Sequence, residues 1–113
     1  MEVVIVTMIS GEKVKRLVLH GVSLYKEDLE GIDLEEANLR GADFGHANLK
    51  NANFKNANLI CVNFEGSDLE NADLEGADLR YSNLSGANLK GTILEDSDLL
   101  DETKLKHKSK DKD

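Results

Sequence analysis

Ala37-Asn38-Leu39-Arg40-Gly41-Ala42-Asp43-Phe44-Gly45-His46 states one five-residue phrase twice, and the phrase continues in both directions. From Val22 to Asp101 the chain divides into sixteen such units without an insertion. The middle residue of each unit, here called its centre, is Leu or Phe in all sixteen: Leu24, Leu29, Leu34, Leu39, Phe44, Leu49, Phe54, Leu59, Phe64, Leu69, Leu74, Leu79, Leu84, Leu89, Leu94 and Leu99. The residue before the centre is Asp or Asn in fourteen units, and only Ser23 and Ile93 differ. Two before the centre, twelve are Ala, Ser or Thr; two after it, nine are Gly or Asn.

Period five excludes the simple elements. On an α-helix each step of five turns about 500°, so the centres would spiral around the cylinder. On a flat strand an odd step sends successive centres to opposite faces. A chain that turns a corner every five residues buries them together. Four sides make a coil of twenty residues, with all centres pointing to one axis. The small residue two before the centre also points inward, beside the Leu. Gly and Asn tolerate the positive φ that corners need, and Asp or Asn before the centre bonds nearby backbone amides and holds the turn. The fold expected over 22–101 is therefore all-β, a quadrilateral parallel β-helix of about four coils, with Phe44 and Phe64 stacked and Phe54 opposite. At the β-ladder spacing this core is only ~19 Å tall.

The units Ala37-Asn38-Leu39-Arg40-Gly41, Ala72-Asp73-Leu74-Glu75-Gly76 and Ala87-Asn88-Leu89-Lys90-Gly91 resemble the A(D/N)LxG consensus of the pentapeptide-repeat family. The resemblance covers about seventy per cent of the chain and implies a right-handed quadrilateral β-helix. It also implies two habits of that family, dimerisation through the C-terminal edge and, in its quinolone-resistance members, binding of DNA gyrase by mimicry of DNA.

A solenoid leaves open edges at its ends. The apolar run Val3 to Ile9, the turn Ser10-Gly11-Glu12-Lys13 and the run Val14 to Leu19 read as a capping β-hairpin over 1–21. Glu27 stands where an inward small residue belongs, so an irregular first coil is expected. Residues 102–113 alternate lysine with polar residues and read as a disordered tail. No hairpin or helix is evident after Leu94 and Leu99, and edge-to-edge homodimerisation is the corresponding expectation.

The 113 residues carry a net charge of −8, with no tryptophan or proline. Such a balance repels phosphates, so direct binding to nucleic acid or anionic membranes is not expected. Cys61 is the one cysteine, which excludes an internal disulfide. The apolar start has no basic flank and is too short to span a bilayer. A cytoplasmic protein is the reading that follows.

Catalysis needs a cleft with converging polar groups, and a filled β-helix is convex. His20, His46 and His107 are scattered, and no His-x-x-x-His or Cys-x-x-Cys spacing exists, so neither an enzyme nor a metal or cofactor site is expected. Cys61 falls on a corner with no base nearby. Asn83-Leu84-Ser85 has the form of a glycosylation sequon but reads as another repeat unit.

Sorting residues by the twenty-residue step leaves two candidate surfaces. One side carries Asp33, Glu35, Glu36, Asp73, Glu75, Glu95 and Asp96 against Lys55 alone. The repeats together carry −11, about one charge per ~1.7 Å, the axial density of duplex DNA. This acidic side is the candidate DNA-mimicking face. A second side presents Arg40, Ile60, Arg80 and Leu100 in one column, with Cys61 and Tyr81 on the adjoining corner. Arg, Tyr and aligned aliphatic residues are typical of protein contacts. A third side reads Glu30, Lys50, Glu70, Lys90, a ladder of alternating charge. The leading expectation is a non-catalytic protein-binding or scaffold module, with a DNA-mimicking inhibitor or protector of DNA gyrase or another DNA-binding protein as the alternative. The regularity also fits a designed or consensus-like repeat without a biological role.

Overall fold

The computed structural model describes residues 21–95. Parallel one-residue bridges tie each coil to the next at a separation of twenty, from Ser23–Asp43 through Asn48–Asp68 to Asp68–Asn88. Each bridge falls on the residue before a centre. The sheets are thus four columns of single bridged residues rather than continuous strands, because every side is too short for more before the next corner.

The unit from Asn48 to Ala52 shows why five residues suffice. Asn48 donates its N–H back to Glu27 O at 2.9 Å, while Leu49 and Asn51 donate forward to Asp68 O at 2.8 Å and Glu70 O at 2.9 Å. Ala52 closes the corner by donating to Leu49 O at 3.0 Å. One N–H remains, that of Lys50, and the Asn48 side chain accepts it at 3.1 Å. All five donors are therefore satisfied, which a buried backbone requires. The same side-chain bond recurs in thirteen consecutive units, from Asp28 to Asn88. The Asp/Asn signature exists because the backbone cannot supply that one acceptor.

Every corner has positive φ two after the centre, the signature of a type II turn. Six of these corners are Gly and three are Asn, but Lys26, Glu36, His46, Cys61 and Tyr81 adopt the same conformation at φ 55 to 66°. The inter-coil bonds on both flanks, such as Cys61 N–H to Arg80 O at 3.0 Å, hold these residues where an isolated L-residue would not rest.

All described centres, Leu24 to Leu94, are buried, and so are most of the small residues two before them. Phe44 and Phe64 stack with centroids 5.5 Å apart, and Phe54 meets both rings edge-on at 5.7 and 5.8 Å. Ser82 and Thr92 fill inward positions by donating to Leu79 O and Leu89 O.

Two expectations change at the ends. The coil is regular through Glu27, which is half-buried: its N–H reaches Leu24 O and its carbonyl accepts from Asn48. The backbone bonds set the register there despite the longer side chain. At the other end, the bridge series stops before Ile93. Ile93 lacks the acceptor that its position supplies elsewhere, and its side chain is 64% exposed. The local bonds instead run from Leu94 N–H to Thr92 Oγ1 and from Gly91 N–H to Glu95 Oε1. The hairpin expected over 1–21 (Gly21 apart), the centre Leu99 and the 102–113 segment lie outside the described residues.

Candidate partner faces

The Asp and Asn side chains that close the units also bond one another between coils. Asn48 Nδ2 donates to Asp28 Oδ1 at 2.9 Å, Asn53 to Asp33 at 3.1 Å, Asn63 to Asp43 at 3.0 Å and Asn88 to Asp68 at 3.1 Å. Among the described residues no two aspartates follow one another in a column. An amide between carboxylates supplies donors where a second carboxylate would supply repulsion. Side chains just after the centres lean across toward the residue eighteen further on. Glu30 and Glu35 accept from Asn48 and Asn53, and Lys50 and Lys55 pair with Asp68 and Asp73 at 3.7 and 3.9 Å. Lys50 thus finds its ion pair in the Asp/Asn column rather than in the Glu30–Glu70 column that the sequence pointed to.

On the acidic side Glu36, Glu75 and Glu95 are exposed, while Asp33, Glu35 and Asp73 are half-buried among these bonds. Lys55 is turned to Asp73. Asp96 lies outside the described residues.

The adjoining side, centred on Leu39, Leu59 and Leu79, differs from the expectation at one residue. Ile60 is 9% exposed and counts with the core rather than with the surface. Its neighbours in the column, by the twenty-residue register, are Arg40 and Arg80, one coil away on either side. Arg80 is clamped by Asp78 through two bonds, Nε to Oδ1 at 3.1 Å and Nη2 to Oδ2 at 2.9 Å. Hydrogen bonding and charge from Asp78 hold the guanidinium above its ordinary pKa. Arg40 is exposed, and Tyr81 is 59% exposed on its positive-φ corner, one coil beyond the exposed Cys61. Leu100 lies outside the described residues. The surface that remains is Arg40, Arg80, Tyr81 and Cys61, more polar than the sequence implied.

At another corner, where the register sets Lys26, His46 and Gly66 one above another, Tyr25 completes a cluster. The Tyr25 ring meets His46 edge-on at 5.7 Å, and Lys26 Nζ lies 5.6 Å from its centroid. Tyr25 covers Gly45, and the His46 ring covers Gly66 so closely that no Cβ fits there. The twenty-residue step puts position 25 above 45 and 46 above 66, so the pairing of a ring with a glycine one coil on was the available signal. Among the described residues no group of three His, Cys, Asp or Glu side chains could hold a metal ion. No described helix is long and apolar enough to cross a membrane.

The sequence model of pentapeptide repeats matches residues 18–56 and 57–96 with eight copies. The chain belongs to the pentapeptide repeat family. Members of this family form right-handed β-helices, and the twenty-residue bridge register is this chain's version of that coil. Among solved structures, this pentapeptide repeat chain is similar to alr5209, a pentapeptide repeat protein from Nostoc PCC 7120. The two share 32% identity over 80% of this chain and 72% of that one, with a TM-score of 0.54. It is also similar to Rfr23 from the cyanobacterium Cyanothece 51142, at 38% identity over 71% of this chain and a TM-score of 0.39. HetL of Nostoc sp. strain PCC 7120, involved in heterocyst differentiation regulation, shares 28% identity over 76% of this chain with a TM-score of 0.44. The chain spans 58% of Rfr23 and half of HetL. A comparison with curated proteins finds no match.

Proposed function

We propose that this pentapeptide repeat chain is a non-catalytic protein-binding or scaffold module that docks through the side bearing Arg40, Arg80 and Tyr81. The observation that carries this reading is Tyr81. A large aromatic side chain stands 59% exposed at φ 62°, on a corner where glycine or asparagine would be less strained. Beside it Arg80 is immobilised by two hydrogen bonds, so little side-chain entropy is left to lose on binding. A rigid arginine next to an exposed tyrosine is the composition of a contact hot spot. The whole would be about four coils, with residues 1–21 as the N-terminal cap.

The test is photo-crosslinking in the native cell with benzoylphenylalanine at position 81 or, separately, at position 75 on the acidic side. Docking through the arginine side predicts one protein captured from position 81 and none from 75. Capture from 75 alone would instead support the second reading, a DNA-mimicking partner of gyrase or another DNA-binding enzyme. That reading is favoured by the exposed Glu36, Glu75 and Glu95. It further predicts inhibition of gyrase supercoiling that weakens with salt and is lost when Glu35, Glu75 and Glu95 become Lys.

A further inference from the structure

The units centred on Leu39, Leu59 and Leu79 carry Arg40 and Arg80 against Asp78 alone. Each of the other three sides has more carboxylates than cations along the described coils. The sequence continues with Asp98 and Asp101 outside the described residues, so the positive stretch runs from Arg40 to Arg80. Within it Arg40 is exposed and has no charged partner among the described residues, and Ile60, at the position between the two arginines in the column, is buried. The Arg80 guanidinium has five N–H groups. Asp78 takes the Nε hydrogen and one on Nη2. Three donors remain, all on the edge away from Asp78. The two arginines are two coils apart, about 9.6 Å at the ladder spacing, and Tyr81 adjoins the second of them.

Resting on the docking reading above, we infer that the partner of this side is an acidic protein segment. Its carboxylates meet Arg40 and the free edge of Arg80, while its apolar groups pack on Tyr81. Charge makes the choice of side. An acidic segment is repelled by three sides of the solenoid and attracted by one, so the field orients the encounter before any contact forms. A basic partner would be drawn to the other three sides and kept from this one.

A random copolymer of glutamate and tyrosine is the probe, titrated into the full-length, isotope-labelled protein and followed by amide NMR shifts. A chain of net charge −8 is not expected to bind a polyanion through its overall field. The expected result is a set of shifts concentrated at residues 40, 60, 61, 80 and 81. Arg40→Glu should weaken binding about tenfold, the loss of one close charge pair plus a new repulsion. It should fold normally, because Glu30 and Glu70 occupy the equivalent position on another side, and circular dichroism checks that. Lys55→Glu on the acidic side should leave the affinity unchanged. The inference is overturned if no shifts appear at those residues, if Arg40→Glu binds as well as the parent, or if the copolymer engages only the lysines from Lys104 to Lys112. Concentration-dependent self-association abolished by Arg40→Glu would overturn it in favour of a second copy. A basic protein crosslinked from position 81, with no copolymer binding, sinks the acidic partner and leaves the docking reading standing. No crosslink from position 81 sinks the docking reading itself.

Discussion

Corner residues set a side chain on one coil against the backbone of the next. Gly66 has φ +66°, and the His46 ring occupies the place of its absent Cβ. Gly66→Ala meets both a conformational cost of about 1–2 kcal/mol and a clash with the ring. Urea denaturation should show a larger loss for Gly66→Ala in the parent than in a His46→Ala background, where only the conformational cost remains. Equal losses in both backgrounds would mean that the ring moves aside freely. The preference for Gly or Asn at corners was legible in the sequence. That Lys26, His46 and Tyr81 take the same positive φ was not, because their types argue against it and only the inter-coil bonds impose it.

A coil side is held by one bridge, one inward pair and one Asp or Asn closing bond, so each element has a distinct failure. Phe54 lies fully buried, edge-on to both rings of the stacked Phe44 and Phe64. Phe54→Ala should cost about 3–5 kcal/mol, read from the chemical denaturation midpoint. The side at Ile93 fails in the opposite sense. The N–H of Glu95 already reaches Thr92 O at 3.2 Å, so Ile93→Asn chiefly restores the amide donors that face Asp73 in the Asp/Asn column. It should stabilise the chain by about 0.5–1.5 kcal/mol, one net hydrogen bond, with the gain seen as a higher thermal midpoint. A loss would mean that the exposed isoleucine makes contacts in the segment beyond residue 95. The exception at Ile93 was visible as a break in the Asp/Asn column. Its effect on the bridge was not, since that depends on which backbone donor the missing side chain would have served.

Across the whole molecule the repeats carry far more carboxylates than cations, and the Asp–Asn columns keep carboxylates from stacking directly. The remaining repulsion is long-ranged and mostly at the surface, so it is screened by salt. The thermal midpoint should therefore rise between 20 and 500 mM sodium chloride, as measured by calorimetry. A fall would show that exposed pairs such as Lys50–Asp68 outweigh the repulsion, contrary to their exposure. The acidic side was legible at this scale from charge and period alone.

By itself the sequence determined the coil, because a strict five-residue period leaves one geometry that buries every Leu and Phe centre along one axis. It determined the stacking of Phe44 on Phe64 for the same reason, through their separation of twenty. Only the tertiary structure decided what each outward residue became. Ile60 is buried and Tyr81 exposed though both lie outside the core rows, and Arg80 is clamped while Arg40 has no charged partner among the described residues. An outward side chain's fate depends on its neighbours one coil above and below and on the direction in which it leans, and the period specifies the first of these but not the second.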